Sequence, residues 1–214
     1  MDKDLTRHPT HEIERLLALT DHLGLRRQGT DLEFPLRDDD RQALRALWPG
    51  ADARAYVCVH AGSQLPSRRW DPRRFARVAD TLARRGLTVV LTGSPAEAGL
   101  VAELRAAMRE PAVDLCGHTD LWTLGALLER ARLLVCNDTG LSHIAAALRV
   151  PSVVVSCGAD VARWSPLDAR RHRVLAADAA CRPCAHRECP HAGHPCAQAI
   201  SVQRVAHAAM QPLG

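Results

Sequence analysis

The chain is 214 residues long, with 47% hydrophobic and 24% charged residues, the proportions of an ordinary soluble globular protein. That length holds one domain of moderate size, or one domain with a substantial extension. A formal net charge of +4 suits anionic partners such as phosphates or anionic lipids, while 3% aromatics speaks against base-stacking platforms for single-stranded nucleic acid. No apolar run reaches the roughly 18–20 residues of a membrane-spanning helix. The N-terminal MDKDLTRHPTHEIERLL is polar, unlike a secretory signal, so the expected location is cytoplasmic. Of the 28 basic residues all but Lys3 are arginine, which reads as a compositional bias before it reads as function.

Residues 5–50 have the look of a lead-in: HEIERLLALTDHLGL carries apolar residues at helical spacing, and DLEFPLRDDDRQALRAL adds a short extended piece and a second helix. From residue 55 the pattern is regular. Strands are expected at 55–60, 87–93, 112–117, 132–137 and 151–158, with helices at 71–86, 95–110, 121–131, 139–150 and 200–211. Pro72 in a first turn and Gly86 at an end punctuate the first of these helices. The five strands are continuous apolar runs that alternate with helices, which predicts a parallel sheet buried on both faces. The fold expected is a Rossmann-like, doubly wound α/β domain, whose ligands sit beyond the carboxyl ends of the strands near the topological switch point.

The polar clusters lie in those positions. HAGSQLPSRRWDP (60–72) combines turn-forming Gly62 and Ser63 with Arg68 and Arg69, the donors a phosphate needs, although a solvated basic loop would look the same. Trp70 could staple that loop to the core. In TGSPAE (92–97), Glu97 fits a helix cap, or a hydrogen bond to a sugar hydroxyl. In CNDTGLSHIAAAL (136–148), Asp138 or Thr139 can cap a helix, and the amides of residues 139–141 can cradle a diphosphate. A cap alone does not explain Gly140 and His143 beside them. CGADVARWSP (157–166) is either a lid or a connection.

These elements resemble the C-terminal, donor-binding half of glycosyltransferase family 9, the lipopolysaccharide heptosyltransferases of Gram-negative bacteria. The resemblance rests on HAGS…SRRW, LTGSPAE, CNDTGLSHIAAAL, the ARWSP loop and the CRPC…CP…C tail, in the family's order from residue 11 to 210, with NDTG-x-x-H the most specific. It implies the C-terminal half of a two-domain GT-B enzyme that transfers heptose from ADP-L-glycero-D-manno-heptose to the lipopolysaccharide inner core, with no cofactor required. It further implies that Ser63 and Arg68 contact the donor phosphates and Glu97 the ribose. Asp138 would hold heptose hydroxyls, the Thr139 and Gly140 amides would bind the diphosphate, and His143 would lie beside it.

There are two departures from the family pattern. Arg68 stands where members have lysine, a planar fork in place of a compact charge. The acceptor site and general base belong to an N-terminal domain that this chain is not expected to contain. The expected organisation is therefore an interdomain segment with helices at 1–54 and a nucleotide-sugar-binding domain at 55–214, reaching the inner-core acceptor through a separate N-terminal domain. Membrane association is expected to be at most peripheral, on the inner face of the inner membrane. Two alternatives are a GT-B domain for another nucleotide sugar and a non-catalytic sugar-nucleotide-binding remnant. A dinucleotide oxidoreductase is disfavoured, because no G-x-G-x-x-G follows the first strand.

Eight cysteines complete the inventory. Cys58, Cys116, Cys136 and Cys157 lie singly beside apolar segments, as small buried hydrophobes do. Cys181, Cys184, Cys189 and Cys196 cluster within CRPCAHRECPHAGHPC. Their spacing leaves two readings open: free thiols in a loop, or a structural zinc or redox-sensitive staple held by the four. A zinc-ribbon nucleic-acid module is unsupported, since no basic or aromatic platform accompanies the cluster.

Overall fold

The computed structural model describes residues 11–213; the polar N-terminus, the first ten residues of the interdomain segment and Gly214 lie outside the described residues. The chain runs α1 (Glu12–His22), α2 (Asp38–Leu47), β1 (Tyr56–His60), α3 (Pro72–Ala83), β2 (Thr88–Thr92), α4 (Ala98–Ala107), β3 (Ala112–Asp114), α5 (Leu121–Glu129). It continues β4 (Leu133–Asn137), α6 (Gly140–Ala147), β5 (Ser152–Ser156), α7 (Val161–Trp164), β6 (His172–Ala176), α8 (Pro195–Gln198) and α9 (Val202–Met210). All strand pairs are parallel, in the order β3-β2-β1-β4-β5-β6. This is the doubly wound Rossmann order, and its topological switch point lies between β1 and β4. The sheet has one strand more than expected: β6 begins His-Arg and leaves most of its residues half-buried, as an edge strand does, so its apolar run is shorter than those of the central strands.

The unbroken apolar strands follow from burial on both faces. Val57, Val59, Val89, Leu91 and Val135 point to one core with Phe75, Leu82 and Ile200. Cys58, Val90, Leu134, Cys136 and Val154 point to the other, with Leu44, Leu127, Leu128 and Ala145. Each fully buried aliphatic side chain contributes about 1.5–3 kcal/mol. The lone cysteines of the strands are thus packing residues, and burial pushes the Cys58 and Cys136 thiols far above their usual range.

Local chemistry sets the helix ends. The Asp71 carboxylate accepts the Arg73 amide at 2.8 Å ahead of Pro72, and Gly86 turns the chain at φ 82° after α3. The Asp120 carboxylate accepts the Thr123 amide at 2.7 Å to start α5. The segment before the sheet packs onto it: Leu44 is buried, the Phe34 ring occupies the space over Gly125, and Arg41 forks onto Glu129 at 2.8 and 2.7 Å. That half-exposed ion pair is worth at most about 1 kcal/mol, so the apolar contacts carry the docking.

One buried side chain ties the switch point together. Asn137, fully buried at the end of β4, accepts the Trp70 amide at 2.9 Å and donates to the Ala61 carbonyl at 2.6 Å. Trp70 is itself fully buried, its indole N–H shared between the carbonyls of Ala197 and Ile200 at 3.1 Å each, so it does staple its loop to the core. Asn137→Ala strands one donor and one acceptor at about 1–3 kcal/mol each. The expected loss is at least about 2 kcal/mol, read as a lower urea midpoint at unchanged slope.

Candidate functional site

At the carboxyl edge of the sheet, the loop after β1 and the loop after β4 enclose a cavity of about 430 Å³, a size suited to a small ligand. Ser63, Arg68, Asp138, Thr139, Gly140 and His143 all line it. The structure therefore brings together every expected donor-site residue except Glu97. Gln64, Leu65 and Trp164 line it too. Trp164 belongs to the ARWSP loop, where its place on α7 makes it a wall of the cavity.

The two arginines of the first loop have separate tasks. The Arg69 Nε donates to the Ser63 carbonyl at 2.8 Å and braces the loop. Arg68 lies along the cavity, and its buried Nε has no hydrogen-bond partner among the described residues. A buried guanidinium N–H without an acceptor is costly, and an anionic oxygen in the cavity would satisfy it. The Ser63 hydroxyl, itself buried, reaches the Asp138 carbonyl at 3.4 Å and links the two loops.

At the second loop the capping reading can be tested directly. Thr139 is the N-cap of α6, yet its side chain makes no capping bond. Its carbonyl accepts the Ser142 amide and hydroxyl at 3.0 and 2.8 Å. The Asp138 carboxylate makes no hydrogen bond among the described residues and faces Arg68 and Arg182. The first amides of α6 are thus left for a ligand, beside a carboxylate that is also free.

Burial pushes the Asp138 carboxyl above the usual carboxylate range against the pull of Arg68 and Arg182. Burial also lowers the His143 imidazole, and neighbouring His11 lowers it further, so His143 is neutral at pH 7 and can donate one hydrogen bond.

Glu97 stands apart. Its carboxylate accepts the Ser94 amide and hydroxyl at 2.8 Å each, the capping role that one reading of TGSPAE gave it. Burial raises its carboxyl, but these bonds, with His60 and Arg69 nearby, hold it below the usual range. It rests directly against Gly62, where an added Cβ would lie 1.9 Å from Oε1, so Gly62 is needed for Glu97 to reach the edge of the first loop.

Residues 3–194 match the family model for glycosyltransferase family 9 (heptosyltransferase). The chain belongs to glycosyltransferase family 9. Among curated family 9 relatives it is 31% identical over 163 residues to lipopolysaccharide heptosyltransferase 3 of Escherichia coli K12, covering 74% of this chain and 47% of that protein. It is 23% identical over 208 residues to lipooligosaccharide heptosyltransferase 2 of Campylobacter jejuni, covering 95% and 64%. Its fold superposes on a family 9 glycosyltransferase from Veillonella parvula with a TM-score of 0.81 at 23% identity, over 98% of this chain and 61% of that one. The chain thus spans roughly half to two thirds of the length of the relatives it matches.

In the cysteine tail, Cys196 lies near Cys181 and Cys189. Among the described residues, no three His, Cys, Asp or Glu side chains are placed to hold a metal ion. Cys196 is buried with the core on α8, Cys184 packs against Gly158, and the Cys189 thiol turns to the His191 carbonyl at 3.5 Å. What sequence reading missed is Arg182: its guanidinium donates to the carbonyls of Ala177 and Ala159 at 2.6 and 2.9 Å and faces Asp138. Its place in CRPC, among candidate thiols, drew attention to its neighbours instead.

Because the folded Asp138 carboxyl titrates above its unfolded value, its stability contribution is fullest below the unfolded range and is lost as pH rises through the folded value. Asp138→Asn is therefore expected to raise the melting temperature at pH 7, with the gain vanishing below about pH 3, where both states are protonated. Thermal melts of the two proteins across pH 3–8 check this.

Proposed function

We propose that this chain is the donor-binding half of a heptosyltransferase-type enzyme, holding ADP-heptose for transfer to the lipopolysaccharide inner core. One observation carries the reading. The start of α6 has no side-chain cap, and it opens into a cavity between the free Asp138 carboxylate and an Arg68 whose Nε lacks an acceptor. Anion-binding amides, a cation and a sugar-binding carboxylate in one cavity match a sugar diphosphate. Family membership, with relatives named as heptosyltransferases, supports heptose as the sugar and ADP as the carrier.

In this reading the diphosphate lies on the Thr139 and Gly140 amides, with Ser63 and Arg68 on its flank and neutral His143 donating to it. Asp138 accepts from sugar hydroxyls, and Glu97, from the rim beside Gly62, accepts from the ribose. Transfer forms a bond from an acceptor oxygen to the anomeric carbon as the bond from that carbon to the β-phosphate oxygen breaks. Negative charge then grows on the departing diphosphate, where the α6 dipole and Arg68 stabilise it. The acceptor proton passes to a base on an N-terminal domain of the kind the family pairs with this half, which also presents the acceptor. Among the described residues no helix is long and apolar enough to cross a membrane, and peripheral association at the inner membrane fits a lipid-linked acceptor.

Calorimetric titration with ADP, ADP-heptose, UDP and NAD tests the site. ADP and ADP-heptose are expected to bind, ADP-heptose more tightly, with UDP and NAD much weaker. Arg68→Ala and His143→Ala are each expected to weaken ADP binding about tenfold or more, the scale of one lost charge-assisted hydrogen bond, at nearly unchanged melting temperature. No binding of any nucleoside diphosphate at millimolar concentration would sink the reading.

A further inference from the structure

The tail that carries the cysteines is stitched to the donor cavity through its backbone. Ser67, adjacent to Arg68 and almost fully buried, gives all three of its polar groups to that tail. Its amide donates to the Arg187 carbonyl at 3.1 Å, and its hydroxyl donates to the His186 carbonyl at 2.6 Å. Its carbonyl lies 2.8 Å from His194 Nε2, which donates to it in the Nε2–H tautomer. The tail also reaches the loop after β5, where the Cys184 amide donates to the Gly158 carbonyl at 2.7 Å. At Gly158 three segments meet: an added Cβ would lie 3.2 Å from Cys184 Cβ, 3.5 Å from the Ser67 carbonyl and 4.0 Å from Arg68 Cγ.

We propose that His194 is a positioning residue for the donor diphosphate, aiming Arg68 through the Ser67 carbonyl, and that the tail as a whole is the brace of the phosphate loop. The proposal rests on the donor-site reading above. Arg68 makes no salt bridge among the described residues, and its guanidinium reaches the cavity on a long, rotamer-rich stem. Such a side chain binds an anion well only if its backbone is held before the ligand arrives. Three neighbours supply that restraint: Ser67 is held by His194, Arg69 by the Ser63 carbonyl, and Trp70 by Asn137 and the carbonyls before α9. Of these, His194 is the only side chain contributed by the tail. It sits at φ 50°, a left-handed backbone that Asn and Gly accept more readily than other residues.

The backbone preference separates the donor from the strain. His194→Gln keeps an N–H donor at the reach of Nε2 with the backbone strain of any non-glycine residue, His194→Ala has that strain without the donor, and His194→Gly has neither the strain nor the donor. Titration of ADP into the full chain is expected to show about tenfold weaker binding for His194→Gly and His194→Ala, a usual size for a residue acting through a neighbour. His194→Gln is expected to stay within about threefold of the parent protein, and Arg68→Ala,His194→Gly to bind no more weakly than Arg68→Ala alone. If His194→Gly binds like the parent protein, or if the two losses add in the double variant, the positioning role is overturned. If the parent protein itself fails to bind ADP, the donor-site reading falls and takes this proposal with it.

Discussion

The structure depends on how the crevice between β1 and β4 is held open. In a doubly wound sheet the connections from these neighbouring strands leave on opposite faces, so their carboxyl ends part and leave backbone groups without ladder partners. Asn137 resolves this with one amide side chain, which donates to the loop after β1 and accepts from the start of the α3 region. An apolar residue there would fill the volume and orphan both groups; a charged one would add a buried charge. Once this bridge is made, the first loop and the start of α6 face each other across a fixed gap, and the cavity is the space that remains.

The cavity is built from arrangements that do not favour the folded chain by themselves. Asp138 is held where burial raises its proton affinity, and among the described residues Arg68 buries a donor without an acceptor and α6 begins without a side-chain cap. Each departs from what stability alone would select, and they occur within one site between two loops. Local rules broken together at a single place mark function, with the surrounding fold absorbing the cost. The two apolar layers, packed from Val57 to Ile200 and from Leu44 to Val154, are that reserve.

Much of this was legible in the sequence, and the rest was hidden for identifiable reasons. Continuous apolar runs with helices between them implied the parallel sheet, and the polar clusters in the loops marked its active edge. β6 escaped because its apolar run, Val174 to Ala177, is short and opens on His172 and Arg173. Whether Asp138 and Thr139 cap α6 turns on side-chain rotamers, which spacing cannot specify. Arg68 and Arg69 are adjacent and chemically identical, so residue type alone does not separate them; the resemblance singled out Arg68, and the fold adds that Arg69 braces the loop. The tail's support of the site was hidden for a different reason: much of that contact runs through the backbone carbonyls of His186 and Arg187, which any sequence could supply.

The reach of those contacts has a consequence for the order in which the protein is made. Ser67 is bonded to residues 119 and 127 positions downstream, and Trp70 to residues 127 and 130 positions downstream. Long-range closures of this kind form late, because the chain between their ends must be organised first. During synthesis β1 to β5 can assemble while the phosphate loop still lacks the partners that define it. The nascent domain can therefore acquire its sheet before the cavity between β1 and β4 takes its final form, which waits until the tail and α9 have left the ribosome.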